Sequence, residues 1–253
     1  MKNTLFIGID PTSGTKEFGY AVVDANLNLV KIANADMDEL ADFLANQESA
    51  VVAINSPAQV NKGLVKKHLE NINESPGHSF RGVDMRFSEF ELHAHGISIA
   101  STPAREELCP SWMQVGFKLY RKLSELNYKS YSAEYNSNVY LETHPYACFC
   151  VLLETIPFPK PALEGRLQRQ LVLFEHGLKI SDAMDFFEEV TRFKLLKGNL
   201  PLDTLYGPDQ LDVLAAAFTA WLSVQRPDEV TSIGNKNEGE IILPVKKLME
   251  KYS

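Results

Sequence analysis

The stretch TLFIGIDPTSGTKEFGYAVVD, residues 4–24, decides the fold class. Residues 4–10 form a short apolar run that ends on a carboxylate, Asp10, and a loop rich in Gly, Ser and Thr follows from Pro11. Residues 18–24 read as a second strand, and the tetrapeptide ANLN at 25–28 makes a tight connection into a third over 29–33. Working outward, Met37, Leu40, Ala41 and Leu44 recur at helical spacing, with Asp36 placed to cap the helix. The run AVVAI at 50–54 is apolar throughout, as a strand covered on both faces would be. The order is β-β-β-α-β.

Beyond Ser56-Pro57 the pattern loosens. Residues 61–73 read as partly helical, 74–82 as a loop, 83–95 as a short helix, and 111–126 as a firm amphipathic helix with Trp112, Val115, Leu119 and Leu123 on one face. Residues 138–142 (NVYLE) form another strand ending on an acid, Glu142. Pro157-Phe158-Pro159-Lys160-Pro161 is a linker, followed by two amphipathic helices over 162–177 and 181–196. The last strong element is a helix over 208–224, opened by Pro208 at its first turn. The aromatic residues Trp112, Tyr120, Phe149, Phe218 and Trp221 sit among Leu and Val at helical spacing and read as core.

The chain has 253 residues, room for one large domain or two small ones at roughly 150 residues per domain. With 45% apolar and 23% charged residues it reads as globular, not disordered. Twenty-five basic against 33 acidic residues give a net charge of −8, which removes bulk attraction to nucleic acid as an argument. A local basic strip or a bound metal can still supply the positive field. The three cysteines, Cys109, Cys148 and Cys150, lack metal-ligand spacing and read as buried thiols of a reducing compartment. The first residues lack a signal-peptide pattern and no apolar run approaches the roughly 18 residues of a membrane span, so a cytoplasmic location is expected.

Three places put carboxylates where chemistry can use them. Asp10 and Glu142 end strands, and open α/β sheets gather ligands at the carboxyl ends of their strands. Asp209 and Asp212 are three apart in the first turn of the last helix and share a face. Converging acids repel unless a hard cation sits between them, and two such ions can clamp both oxygens of an in-line phosphoryl displacement. Each acid also has a plainer reading. Asp209 and Asp212 complement the helix dipole, Asp10 precedes a turn, and Glu142 pairs with an arginine.

In this arrangement the chain resembles the ribonuclease H-like superfamily, whose members cut or join phosphodiesters with two Mg²⁺ ions. More narrowly it resembles domain-of-unknown-function family 429, a predicted-nuclease family. The matching stretches are GIDPTSGTKEFGYAVVD, VVAINSPAQ, FRGVDMR, LETHPYACF, DQLDVLAAAFTAW and EGEIILP, spread from Ile7 to Pro244. The resemblance implies an α/β fold, a ribonuclease H-like mixed five-stranded sheet flanked by helices. It implies a single domain over 1–253, with helical insertions at about 61–126 and 162–196. By position, it makes Asp10, Asp209 and Asp212 metal-binding and catalytic acids for Mg²⁺ or Mn²⁺. Glu142 becomes a further ligand or water-orienting base beside His144. Arg81, Asp84 and Arg86 match a polar motif in the family's middle region. One departure stands out: Asn55 occupies a position where the family usually has Asp, leaving a metal ligand without charge.

Arg81, Arg86 and Arg105, with His78, His93 and His95, read either as a strip holding phosphate or as surface groups paired to Glu89, Glu91, Glu106 and Glu107. Ser13 and Thr15 beside Asp10 would let a phosphate approach the backbone. The expected activity is a metal-dependent nuclease on nucleic acid of unspecified type. Two alternatives remain: a binding module that kept the fold and lost the chemistry, and an ATP-dependent phosphotransferase of the actin and sugar-kinase type with the 11–19 loop as its phosphate cradle. No membrane partner is expected, and the oligomeric state stays open, a homodimer included.

Overall fold

The structure, a computed structural model, describes residues 4–11, 17–72, 84–131 and 138–253. Its opening follows the sequence: β1 (Leu5–Pro11), β2 (Phe18–Val23), β3 (Leu29–Ala35), α1 (Met37–Ala45) and β4 (Ala50–Ile54). Asp36 caps α1 reciprocally. Its Oδ1 accepts from the Glu39 amide at 2.9 Å, while Glu39 Oε2 accepts from the Asp36 amide at 3.1 Å. β1, β2 and β3 form an antiparallel meander, and β4 pairs parallel to β1.

The remaining elements are α2 (Leu64–Ile72), α3 (Phe87–Ala94), α4 (Ser111–Glu125), β5 (Lys129–Ser130), β6 (Val139–Glu142), α5 (Pro145–Leu153), α6 (Leu163–Glu175), α7 (Asp185–Glu189), α8 (Arg192–Leu196), α9 (Pro208–Gln225), β7 (Thr231–Asn235) and β8 (Gly239–Leu243). The sheet has eight strands, not five, in the order β3-β2-β1-β4-β6-β8-β7, with β5 also pairing β6. The extra strands are short. β5 has two residues, and β7–β8 is a hairpin whose sequence, TSIGN then GEIIL, alternates too weakly to announce itself. The helix expected over 181–196 is two helices. Val190 is extended (ψ 112°) and Thr191 starts a new helix by accepting from the Lys194 amide at 3.1 Å.

Because side chains alternate along a strand, β1 feeds two layers. Phe6, with Val51 and Ala53 of β4 and Val139 and Leu141 of β6, packs beneath α5, α6 and α9. Ile7 and Ile9, with Val52 and Ile54, pack on the other face against Leu40 and Leu44 of α1 and Leu119 and Leu123 of α4. Burying the apolar side chains of both layers stabilises the sheet by roughly 1.5–3 kcal/mol for each large one. All three cysteines are buried and free. Among the described residues no helix is long and apolar enough to cross a membrane.

Candidate functional site

Asp10 shares its face of β1 with Gly8, and Gly8 sets how close α9 comes. A Cβ at Gly8 would stand 2.0 Å from the Val213 carbonyl oxygen and 2.4 Å from the Ala217 amide, so the helix backbone lies directly on the strand. Asp212 immediately precedes Val213, and this contact brings it close enough to Asp10 for the two carboxylates to repel. Both carboxylates are almost fully buried, at 8% and 7% exposure. Asp209, one turn further out, has a side chain 75% exposed.

Two groups hold these acids. The Asn55 amide donates to Asp10 Oδ1 at 2.8 Å, from the residue that follows β4. Lys160 lies within the proline-rich segment before α6. Its Nζ stands 2.5 Å from Asp212 Oδ2 and 2.9 Å from Asp209 Oδ1. Sequence reading passed over this lysine because nothing in a Pro-rich linker signals contact with a helix 49 residues downstream.

The electrostatics follow from burial. Loss of water, then the nearby Asp212 carboxylate, pushes Asp10 up from its ordinary value of 3.8 to about 7, although Asn55 and Lys160 pull the other way. Asp212 is also raised, by burial, against the opposing pull of Lys160 and of Arg169 on α6. Burial alone would lower the Lys160 ammonium, but Asp212 and Asp209 more than reverse this, and it is held more firmly protonated than usual.

Glu142 takes no part in this cluster. In the parallel register Ile9, Ile54 and Glu142 lie side by side across β1, β4 and β6, so Glu142 emerges on the face opposite Asp10. There it is 5% exposed and forms a two-pronged pair with Arg86, Nη2–Oε1 at 2.5 Å and Nη1–Oε2 at 2.9 Å. Arg86, expected to contact phosphate, is 1% exposed with its donors committed. Its Nε donates to Glu89 at 2.8 Å and its Nη1 also to the Glu238 carbonyl at 3.1 Å. Glu89 further accepts from the Thr102 amide and hydroxyl. Glu238 accepts from the amides of Lys62 and Phe87, at 2.7 and 2.9 Å, fixing the approaches to α2 and α3. These residues tie the segments leading into α2 and α3 to the end of β6. His144 caps α5, and burial holds its pKa near 4, with Glu89 and Arg86 acting in opposite directions, so it is neutral.

Asp84 binds the Asn61 amide at 2.8 Å. Of the acids expected to pair with surface arginines, Glu106 meets Arg121 at 3.0 Å, and Glu91 accepts from the Gly234 amide at 2.6 Å. His93 and His95 bond backbone carbonyl oxygens of Ile99 and Met249 at 3.0 and 2.7 Å. Ser13, Thr15, Arg81 and His78 lie outside the described residues.

Asp10 and Asp212 offer hard oxygen donors, the kind that Mg²⁺ takes. Two buried carboxylates that repel each other share the single Lys160 ammonium, which leaves room for the charge of a Mg²⁺-like ion, and such ions need only one or two protein carboxylates. No group of three or more His, Cys, Asp or Glu side chains gathers at metal-binding distance among the described residues. At most one ion would find protein carboxylates here, those of Asp10 and Asp212. A second ion would need ligands that Glu142, on the other face, does not supply.

A family model described as a protein of unknown function, DUF429, matches residues 8–238. The chain belongs to the DUF429 family. The match includes Gly8, Asp10, Asn55, Lys160, Asp209 and Asp212, so the acid cluster is part of this DUF429 protein's family region. Neither the comparison with curated proteins nor that with solved structures returns a match.

Proposed function

We propose that this DUF429 protein is a ribonuclease H-like nuclease that hydrolyses nucleic-acid phosphodiesters with a divalent cation, Mg²⁺ or Mn²⁺, held by Asp10 and Asp212. The observation that carries the reading is the meeting of these two acids, one from the end of the first strand and one from the last helix, both buried and both raised. The β-β-β-α-β opening and the parallel continuation into β4 and β6 support the superfamily reading.

When bound, the cation supplies Lewis-acid polarisation of a phosphoryl oxygen. The chain's own residues do the rest. Asp10 and Asp212 fix the ion's place, Asn55 fixes the Asp10 carboxylate by its hydrogen bond, and Asp209 adds negative charge at the mouth. The experiment is cleavage of single-stranded, duplex, hybrid and branched nucleic acids with Mg²⁺ or Mn²⁺, beside Asp10→Asn and Asp212→Asn. Metal-dependent cleavage lost in both variants is the expected result. A fully active Asp10→Asn protein overturns the reading.

Asn55 favours a second reading. It brings an amide where the family usually has an acid and turns that amide's N–H toward Asp10. A binding module that retains the acids and does not turn over would bind the same nucleic acids and cleave none under any cation.

A further inference from the structure

The Lys160 ammonium touches both acids of α9, and its setting separates a fixed backbone from a free stem. The segment around it is fixed by three hydrogen bonds, two of them to α6. The Phe158 amide donates to Gln168 Oε1 at 2.9 Å, the Phe158 carbonyl accepts from Arg169 Nη1 at 2.8 Å, and the Ala162 amide donates to the Pro159 carbonyl at 3.1 Å. Gly165 permits this contact, since a Cβ there would stand 2.1 Å from the Pro159 oxygen. Prolines at 157, 159 and 161 fix their own φ angles as well. What can move is the four-carbon stem, whose side chain is 37% exposed and therefore open to solvent on one side.

At 2.5 Å from Asp212 Oδ2, the ammonium occupies space that a cation on the same oxygen would need. Two positive groups cannot share one carboxylate oxygen at that range without strong mutual repulsion. A cation that takes Asp212 Oδ2 must therefore drive Lys160 off it. The displaced ammonium, still anchored at its backbone, remains within a stem's length of the same acids. That is where the anionic group of a phosphodiester would be drawn by the cation.

We propose that Lys160 is a tethered counter-ion: it neutralises Asp212 and Asp209 until a divalent cation displaces it, and it then holds a phosphate oxygen of the substrate. This rests on the cation reading given under Proposed function. It makes Lys160 a built-in competitor for the cation and a substrate-binding residue in succession. Cation binding and phosphate binding are thereby coupled, because the first frees the group that performs the second.

The test measures Mn²⁺ affinity of the metal-stripped full chain by titration calorimetry, in the native protein, Lys160→Met and Lys160→Arg. A short phosphorothioate oligonucleotide, resistant to cleavage, is then titrated in saturating Mn²⁺. Lys160→Met should bind Mn²⁺ about tenfold tighter or more, since a nearby positive charge is gone, and should bind the oligonucleotide more weakly. Lys160→Arg should return both affinities toward the native values. A gain in Mn²⁺ affinity cannot come from unfolding. Unchanged or weaker Mn²⁺ binding by Lys160→Met overturns the counter-ion role while leaving the cation reading intact. Tighter Mn²⁺ with unchanged oligonucleotide affinity overturns the phosphate role. Mn²⁺ binding by neither protein overturns the cation reading and this inference with it.

Discussion

Asp10 and Glu142 end neighbouring parts of one sheet and point to opposite faces of it, because Glu142 stands in register with Ile9 and not with Asp10. The two acids therefore do different work. Asp10 meets α9, and Glu142 neutralises a buried arginine.

Glu142→Gln should accordingly lower stability and leave cation binding alone. Removing one partner of a buried pair leaves the other uncompensated, which costs on the order of 3 kcal/mol. Arg86 would keep Glu89 but lose its two-pronged partner. Urea denaturation should show the loss, and Mn²⁺ titration should give the native affinity. A Glu142→Gln protein with native stability and impaired Mn²⁺ binding would place Glu142 in the metal site after all.

Asp10→Asn should stabilise the protein in EDTA at neutral pH. The folded pKa of about 7 lies above the ordinary 3.8, so between these values the folded protein keeps a proton that the unfolded chain releases. Stability is therefore lost as pH rises through that window, by up to about 4 kcal/mol once the carboxyl is fully ionised. The neutral amide escapes the loss and can still accept from Asn55. Melting curves of the two proteins should coincide near pH 4 and separate by pH 8, with Asp10→Asn the higher. Parallel curves at all pH values contradict the burial argument. The same result bears on the nuclease test, since inactivity of a more stable variant cannot be ascribed to unfolding.

Gly8→Ala should be severe. The added methyl would meet backbone atoms of α9 at 2.0 and 2.4 Å, and backbone cannot rotate aside as a side chain can. Overpacking of this kind costs typically 1–3 kcal/mol and more where backbone must shift. Where the variant folds, α9 is lifted from β1 and Asp212 leaves Asp10, so Mn²⁺ affinity should fall with stability. Equal stability of Gly8→Ala and native protein in urea would show that α9 is not seated as described.

Asn55→Asp should tighten Mn²⁺ binding and lower stability in EDTA. The amide that now donates to Asp10 would become a third carboxylate in a site already short of positive charge. The outcome to measure is the pair of changes together, by calorimetry and by melting. Weaker Mn²⁺ binding by the added acid would mean that position 55 lies outside the ion's reach.

What the sequence made legible was local. β1 through β4, the Asp36 cap, α4, and α9 with its opening Pro208 all stand where spacing and caps put them. Asp10 and Asp212 could be paired in advance by the resemblance, although their contact depends on Gly8. The rest depended on register and distance. Whether Glu142 joins Asp10 turns on a one-residue parity that no single strand reveals. Arg86 looks like a surface arginine until Glu142, 56 residues away, closes on it. Lys160 lies in a segment whose prolines announce a linker and nothing more. β5 has only two residues, and the TSIGN and GEIIL of β7 and β8 alternate too weakly to stand out from loop.

The direct seating of α9 on β1 also sets a schedule for folding. Gly8 and Asp10 leave the ribosome early, but the helix that covers them is encoded roughly 200 residues later, about 10–40 s of synthesis at roughly 5–20 residues per second. The opposite face of β1 closes sooner, once α1 and α4 are made, while the α9 face stays bare. Such long-range closure is slow in its own right. The apolar face of β1, β2 and β4 that α9 covers therefore stays open for most of the chain's synthesis.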